Sequence, residues 1–249
     1  MPFRSKNTPK DTSYVGNIDE SKTGHKITTM HCAPLHSEQS EISIDDNLNS
    51  NEKITIDDAV KGKTNRPIRI YADGVYDLFH HGHARQLQQV KRLFPKCETY
   101  LIVGVNSDKV VEAKKGKTLM SEDERYESVR HCRYVDYVVD DAPWIIDEEF
   151  IKRHSIDFVA HDDIPYCSGN EKDVYAELKK KNVFVATNRT EGISTGDTIS
   201  RVVRNYDKYT ERNIKRGYSR EELNYSRIRE WLLKLANTLD VVFSYIWKV

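Results

Sequence analysis

The stretch DGVYDLFHHGHARQL, residues 73–87, places His80, His81 and His83 around a single glycine, Gly82. Such a cluster of imidazoles suggests zinc, but a zinc site would need a fourth ligand at workable spacing. Neither a helical HxxxH nor a cysteine pair supplies one. The placement of the cluster is more telling. It follows directly on IRIYADGV (68–75), which reads as a buried strand, and it opens a helical pattern in which Ala84, Leu87, Val90 and Phe94 share one face. A glycine at a strand-to-helix join lets the backbone approach a bound group closely, and the N–H groups of the helix start favour an anion. His80 and His83, three residues apart, can direct imidazole N–H donors at phosphate oxygens, while His81 points elsewhere.

Working outward, TYLIVGV (99–105), VDYVVD (135–140), DFVAHD (157–162) and VFVAT (183–187) are further short β-branched or aromatic runs. Helical patterns lie between them: SEDERYESVRHC with a Ser121–Glu124 capping box, then DEEFIKRH and VYAELKKK. A last long helix is expected from near Ser194 to beyond Tyr206. Strands alternating with helices predict an α/β fold, a doubly wound, Rossmann-like, five-stranded parallel sheet. In such a sheet ligands sit beyond the carboxyl ends of the strands, where the strand order switches.

The ends differ in texture. Residues 1–66 are rich in Ser, Thr, Asn, Asp and Lys and are expected to be disordered, for want of apolar surface to offset their ordering entropy. Residues 67–225 form the expected catalytic domain. Residues 226–249 are expected to form a short amphipathic helical tail, with Ile228, Trp231, Leu232, Leu235, Leu239, Val242, Phe243 and Ile246 on one stripe. That stripe suits packing against the domain or a second subunit, or a weak peripheral contact with a membrane.

In the whole chain of 249 residues, 39 Lys and Arg balance 39 Asp and Glu. No global field favours nucleic acid or an anionic membrane, so an anion site must be built locally. The four cysteines, Cys32, Cys97, Cys132 and Cys167, are scattered, no apolar leader opens the chain, and no run approaches the ~20 apolar residues that cross a bilayer. These features lead to the expectation of a soluble protein of the cytoplasm or nucleus.

The motifs carry a resemblance. His80-His81-Gly82-His83 after the first strand is similar to the HxGH signature of nucleotidyltransferases, and RTEGIST (189–195) is similar to a block of their cytidylyltransferase branch. YADGVYDLFHHGHAR, HCRYVDYVVDDAPW, HDDIPY and RVVRNYDKYTERNIKRGYSREELN resemble the choline-phosphate cytidylyltransferase family over residues 67 to about 225. FPKCETYLIV is slightly longer than the family's usual link. The resemblance implies transfer of the cytidylyl group of CTP to phosphocholine, with Mg²⁺ travelling on the nucleotide, and a homodimer with HCRYVDYVV near the partner.

By the same resemblance His80, His83, Lys115 and Arg189 are catalytic. The residues alone leave Lys114, Lys115 and Lys117 open, and the match of KKGKTLM favours Lys115. The implied CTP site comprises Gly74, Val75, Tyr76, Gly82, His83, Lys115, His161, Asp162, Tyr166, Arg189, Thr190, Glu191, Gly192, Ile193 and Thr195. Asp73, Lys115, Trp144 and Tyr175 match the phosphocholine site, where aromatic faces and a carboxylate suit a trimethylammonium group. The competing readings are a cytidylyltransferase for ethanolamine phosphate or glycerol 3-phosphate, and an inactive regulatory homologue. Animal members carry a long amphipathic segment after the catalytic domain. With the chain ending soon after EELNYS, either constitutive activity or a rudimentary lipid response is expected.

Overall fold

The computed structural model describes Ala33, residues 53–164, 173–219, 221–224 and 226–228, Trp231 and Leu235. Five parallel strands form one sheet in the order β3-β2-β1-β4-β5: β1 (Ile68–Gly74), β2 (Thr99–Val105), β3 (Tyr137–Val139), β4 (Phe158–Asp162) and β5 (Phe184–Thr187). The chain winds from β1 outward to β2 and β3, then returns to place β4 against the other side of β1. The switch in strand order therefore lies between β1 and β4, as a doubly wound sheet requires.

β1 is central and buried along almost its whole length. Its alternating side chains feed two cores, one on each face. Ile68, Ile70 and Ala72 join Leu101, Val103 and Val105 of β2 beneath α2 (His81–Lys91) and α4 (Glu122–Arg130). Tyr71 joins Ile102 and Val159 beneath α5 (Glu148–Arg153) and α6 (Ala176–Lys180). Each such buried aliphatic side chain stabilises the fold by roughly 1.5–3 kcal/mol relative to an exposed one. Gly104 is fixed by the same packing. A Cβ there would stand 1.9 Å from the Tyr71 hydroxyl, so only glycine lets that ring lie across β2.

Three features depart from the sequence reading. Residues 53–66, grouped by composition with the N-terminal tail, include a helix, α1 (Ile56–Lys61). Thr55 caps its start, Gly62 ends it at φ +75°, and Ile54 and Ala59 are buried in the core. Just beyond, Arg66 grips Asp157 through two hydrogen bonds of 2.7 and 2.8 Å. The polar composition hid a small apolar anchor. A second helix, α3 (Asp108–Lys114), which the sequence reading did not assign, leads into the lysine-rich stretch with Lys115 as its C-cap. Finally, the long helix expected from Ser194 is two, α7 (Thr195–Arg204) and α8 (Tyr206–Lys215). They break at Asn205, whose side-chain amide turns back to donate to the Arg201 carbonyl.

Most of the C-terminal stripe, with Cys32, Cys167 and Tyr166, lies outside the described residues. Ile228, Trp231 and Leu235 are exposed. Among the described residues, no helix is long and apolar enough to cross a membrane.

Candidate active site

The turn after β1 is strained and tightly held. Tyr76 and Leu78 both adopt positive φ, 55° and 47°, an uncommon state for side chains of that bulk. Burial of the Tyr76 ring holds the first of them, and the ring meets His83 edge-on at 5.3 Å. Between them Asp77 is buried, and its carboxylate accepts from the backbone of Leu119 and Met120, both at 3.0 Å.

His80 is the N-cap of α2. Its Nδ1 accepts from Gly82 N (3.1 Å) and His83 N (3.4 Å), and His83 Nδ1 accepts in return from His80 N (3.3 Å). The two rings stack 3.8 Å apart, 11° from parallel, instead of converging on a point as metal ligands would. Two N–H groups that a bare helix start would offer to an anion are therefore already used, and the donors left are the imidazoles. With Nδ1 accepting, each neutral ring carries its proton on Nε2. The His80 Nε2 is buried with no hydrogen-bond partner among the described residues. Burial lowers the His80 pKa and pulls that of His83 down to about 4, so both rings are neutral near pH 7. His81 is exposed.

Gly82 is required by contact. A Cβ there would lie 2.9 Å from His80 Cε1 and 2.9 Å from Ile193 Cγ2. The bare Cα thus lets the RTEGIST segment press against the first histidine. Gly192 turns that segment at φ +72°, and Ser194 caps α7 by accepting from Asp197 N at 3.0 Å. Thr195 donates to the Asp77 carbonyl at 2.9 Å, which joins the two motifs a second time.

A cleft of about 630 Å³ opens beyond the ends of β1 and β4. It collects Gly74, Val75, Tyr76, His80, Gly82, His83, Lys115, His161, Asp162, Arg189, Thr190, Ile193 and Thr195. Glu191 and Gly192 do not line it; both are exposed. Of the three candidate lysines, Lys115 and Lys117 line the cleft and Lys114 does not. Arg189 is two-thirds exposed and approaches Asp162 at 3.8 Å.

A smaller cavity of about 30 Å³ adjoins the cleft and is lined by Asp73, Lys115, Trp144 and Tyr175, with His161 between the two spaces. Tyr175 donates its hydroxyl to both Asp73 oxygens, at 3.0 and 3.1 Å, and stacks on His161 at 4.7 Å. Burial pushes the Asp73 pKa up, against the pull of His161 and the Tyr175 hydrogen bond. Lys115 carries its ammonium 5.7 Å from the centre of the Trp144 ring. Much of the lysine faces solvent, yet the atoms packed round its ammonium hold its pKa below the ordinary value.

Residues 71–216 match the family model described as cytidylyltransferase-like. The chain belongs to the cytidylyltransferase-like family. Over 191 residues it is 54% identical to choline-phosphate cytidylyltransferase A of Rattus norvegicus, spanning 76% of this chain and 52% of that one. It is 49% identical over 185 residues to choline-phosphate cytidylyltransferase of Saccharomyces cerevisiae, covering 74% and 43%. With ethanolamine-phosphate cytidylyltransferase of Dictyostelium discoideum the identity is 38% over 138 residues, 55% and 37% of the two chains. The chain thus spans about half the length of the choline-phosphate relatives it matches.

The cleft also includes residues that motif reading passed over. Asp77, Gln86, Thr187 and Asn188 line it. Arg125, fully buried in α4, donates to Val75 O (2.7 Å), Asn106 O (2.8 Å) and Asp108 Oδ1 (2.7 Å). One guanidinium thereby ties the turn after β1 to the turn after β2 and to the start of α3, whose C-cap is Lys115. Its trace in the sequence is an arginine on the same helical face as Val129.

Proposed function

We propose that this chain transfers the cytidylyl group of CTP to phosphocholine, a step of phosphatidylcholine synthesis. The observation that carries the reading is the sharing of Lys115 by two adjoining spaces of different chemistry. The cleft offers neutral imidazole donors and Arg189, suited to a triphosphate. The cavity offers aromatic faces and a carboxylate, suited to a quaternary ammonium. The choline-phosphate relatives support the same assignment.

In this reading a phosphocholine oxygen attacks the α-phosphorus of CTP. The new P–O bond forms as the bond to the β-phosphate breaks, giving CDP-choline and pyrophosphate. A phosphate monoester has its second pKa near about 6, so the nucleophile is already ionised and no general base is needed. The chain's task is to align two polyanions and stabilise the charge of the in-line transition state. His80 and His83 donate through Nε2 to the triphosphate. Arg189 adds a planar fork, and Lys115 bridges the reacting phosphates. Tyr175 and Trp144 face the trimethylammonium group, with Asp73 supplying the opposite charge. The segments Gly74–Tyr76 and His161–Asp162, with Tyr166, read the base and ribose.

No three carboxylate, histidine or cysteine side chains among the described residues converge as a metal cage. Asp77 and Asp73 are already engaged with backbone amides and with Tyr175. Mg²⁺ accompanying CTP would be bound mainly through phosphates and waters and would screen their charge.

A homodimer through residues 131–139 belongs to the same reading. Its support is that His131 and Arg133 are exposed while Cys132, Val135 and Val138 anchor the segment from beneath. Peripheral membrane contact by the tail is supported by the exposure of Ile228, Trp231 and Leu235. The deciding assay offers the purified protein CTP with phosphocholine, ethanolamine phosphate or glycerol 3-phosphate. CDP-choline as the favoured product is expected. Preference for either other acceptor, or no product, overturns the reading.

A further inference from the structure

The smaller cavity contains a cation from the chain itself. The Lys115 ammonium stands over the Trp144 face, and the same cavity is lined by the Asp73 carboxylate and the Tyr175 ring. An aromatic face with a nearby carboxylate is the environment that an alkylammonium ligand seeks. In this arrangement the cavity measures about 30 Å³. It is small beside the cleft of about 630 Å³, and the lysine ammonium already stands against its aromatic wall. The lysine backbone is anchored: its N–H donates to the Val111 carbonyl at 2.8 Å, at the end of α3. What can move is the four-carbon side chain, which also lines the larger cleft.

We propose that Lys115 makes this cavity selective for cations that carry their own phosphate, by acting as an internal competitor for the aromatic face. A free choline cation must displace the ammonium from Trp144 and leave it beside a second positive charge, with nothing gained in return. Phosphocholine displaces the same ammonium but presents a phosphate to receive it. Lys115 thus weakens binding of the unphosphorylated cation and strengthens binding of the phosphorylated one. The side-chain movement that admits the substrate also brings the ammonium to the reacting phosphate. This inference rests on the phosphocholine reading of the cavity.

Equilibrium binding of choline and of phosphocholine to the full chain tests it, by calorimetry at fixed ionic strength. In Lys115→Ala, choline should bind roughly twofold to fivefold more tightly, the worth of a partly exposed cation–aromatic contact. Phosphocholine should bind roughly tenfold or more weakly, from loss of a charge-assisted contact. Lys117→Ala removes an equal charge from the cleft alone and should leave choline affinity unchanged. Unchanged or weaker choline binding in Lys115→Ala overturns the proposal, as does equal tightening in Lys117→Ala, which would mean bulk charge. If Lys115→Ala does not fold, the intact protein still decides. The ring current of Trp144 should shift the Lys115 ε-methylene protons upfield, and saturating phosphocholine should release them. A resonance that coincides with those of the other lysines counts against the idea. Failure of the functional assignment would appear as absence of CDP-choline from the unmodified protein, whereas failure of this inference leaves that turnover intact.

Discussion

His80 and His83 cap each other: the ring nitrogen Nδ1 of each accepts the backbone N–H of the other, at 3.3 and 3.4 Å, with the rings stacked face to face. One reciprocal arrangement starts helix α2, fixes both tautomers and leaves two Nε2–H groups for chemistry. Structure and catalysis can therefore be separated at His80. Asparagine can still accept the capping hydrogen bonds through its short side chain but cannot reach the position of Nε2. His80→Asn should keep the thermal midpoint and lose roughly 10²–10³ in kcat, the usual cost of a transition-state donor. Steady-state kinetics beside a melting curve check this. A collapse of the midpoint would mean that the imidazole acts mainly as a structural piece.

The same pair sets a pH dependence of stability. The unfolded chain takes up a proton on this histidine near the ordinary value of 6.5, while folded His83 does so only near about 4. Between those values the unfolded state binds more protons, so stability must fall as pH falls. The loss amounts to about 3 kcal/mol when complete. Urea midpoints measured from pH 7 to 4 should show this slope, and His83→Asn should flatten it.

Activity should follow a different group. With both histidines neutral, the acid limb of kcat/KM for phosphocholine should track protonation of the substrate phosphate near about pH 6. Replacing its phosphate by a phosphonate with a higher second pKa should move that limb upward. A limb that stays put would point to an ionisation of the protein.

Arg125→Lys keeps the charge but cannot serve three acceptors in one plane. The carbonyls of Val75 and Asn106 would lose their buried donor, at a cost of roughly 2–4 kcal/mol. Because Lys115 is the C-cap of α3, KM for CTP should rise as well. Denaturant titration and CTP saturation curves measure the two effects separately.

Gly82→Ala should push apart His80 and Ile193, raising KM for CTP by about tenfold with little change in the melting midpoint. Ile193→Ala in the same chain, which removes the opposing Cγ2 methyl, should restore part of the loss. No recovery would place the strain elsewhere.

The fold was legible because its signals are local. Five β-branched runs, a glycine at the strand-to-helix join and the Ser121 capping box each name one element, and the order of elements dictates the winding. What escaped the sequence was held by tertiary contact. Helix α1 exposes its Ile56 and Val60 and is anchored through Ala59 and the preceding Ile54, and α3 is too short to show a repeating face. The break at Asn205 has neither proline nor glycine to announce it. At the site, the gathering of Lys115, Arg189 and Trp144 was accessible through resemblance, since residues so far apart in sequence share no spacing rule. The use of His80 as a backbone cap, and the work of Arg125 and Asp77, depend on distances that no motif encodes.

The two walls of the cleft are unequally tethered. On the β2 side, the Arg125 guanidinium and the Asp77 carboxylate clamp successive turns through buried hydrogen bonds. On the β5 side, Asn188 is held at the surface by Gln89, and Arg189 reaches Asp162 at 3.8 Å with its side chain largely in solvent. Because Ile193 and Thr195 tie that segment back to the histidine turn, the adjustment to an arriving triphosphate is expected in the exposed Arg189 side chain. On the proposed reading, affinity for the nucleotide would then depend on how readily one guanidinium trades Asp162 for phosphate, against a donor pair that does not have to move.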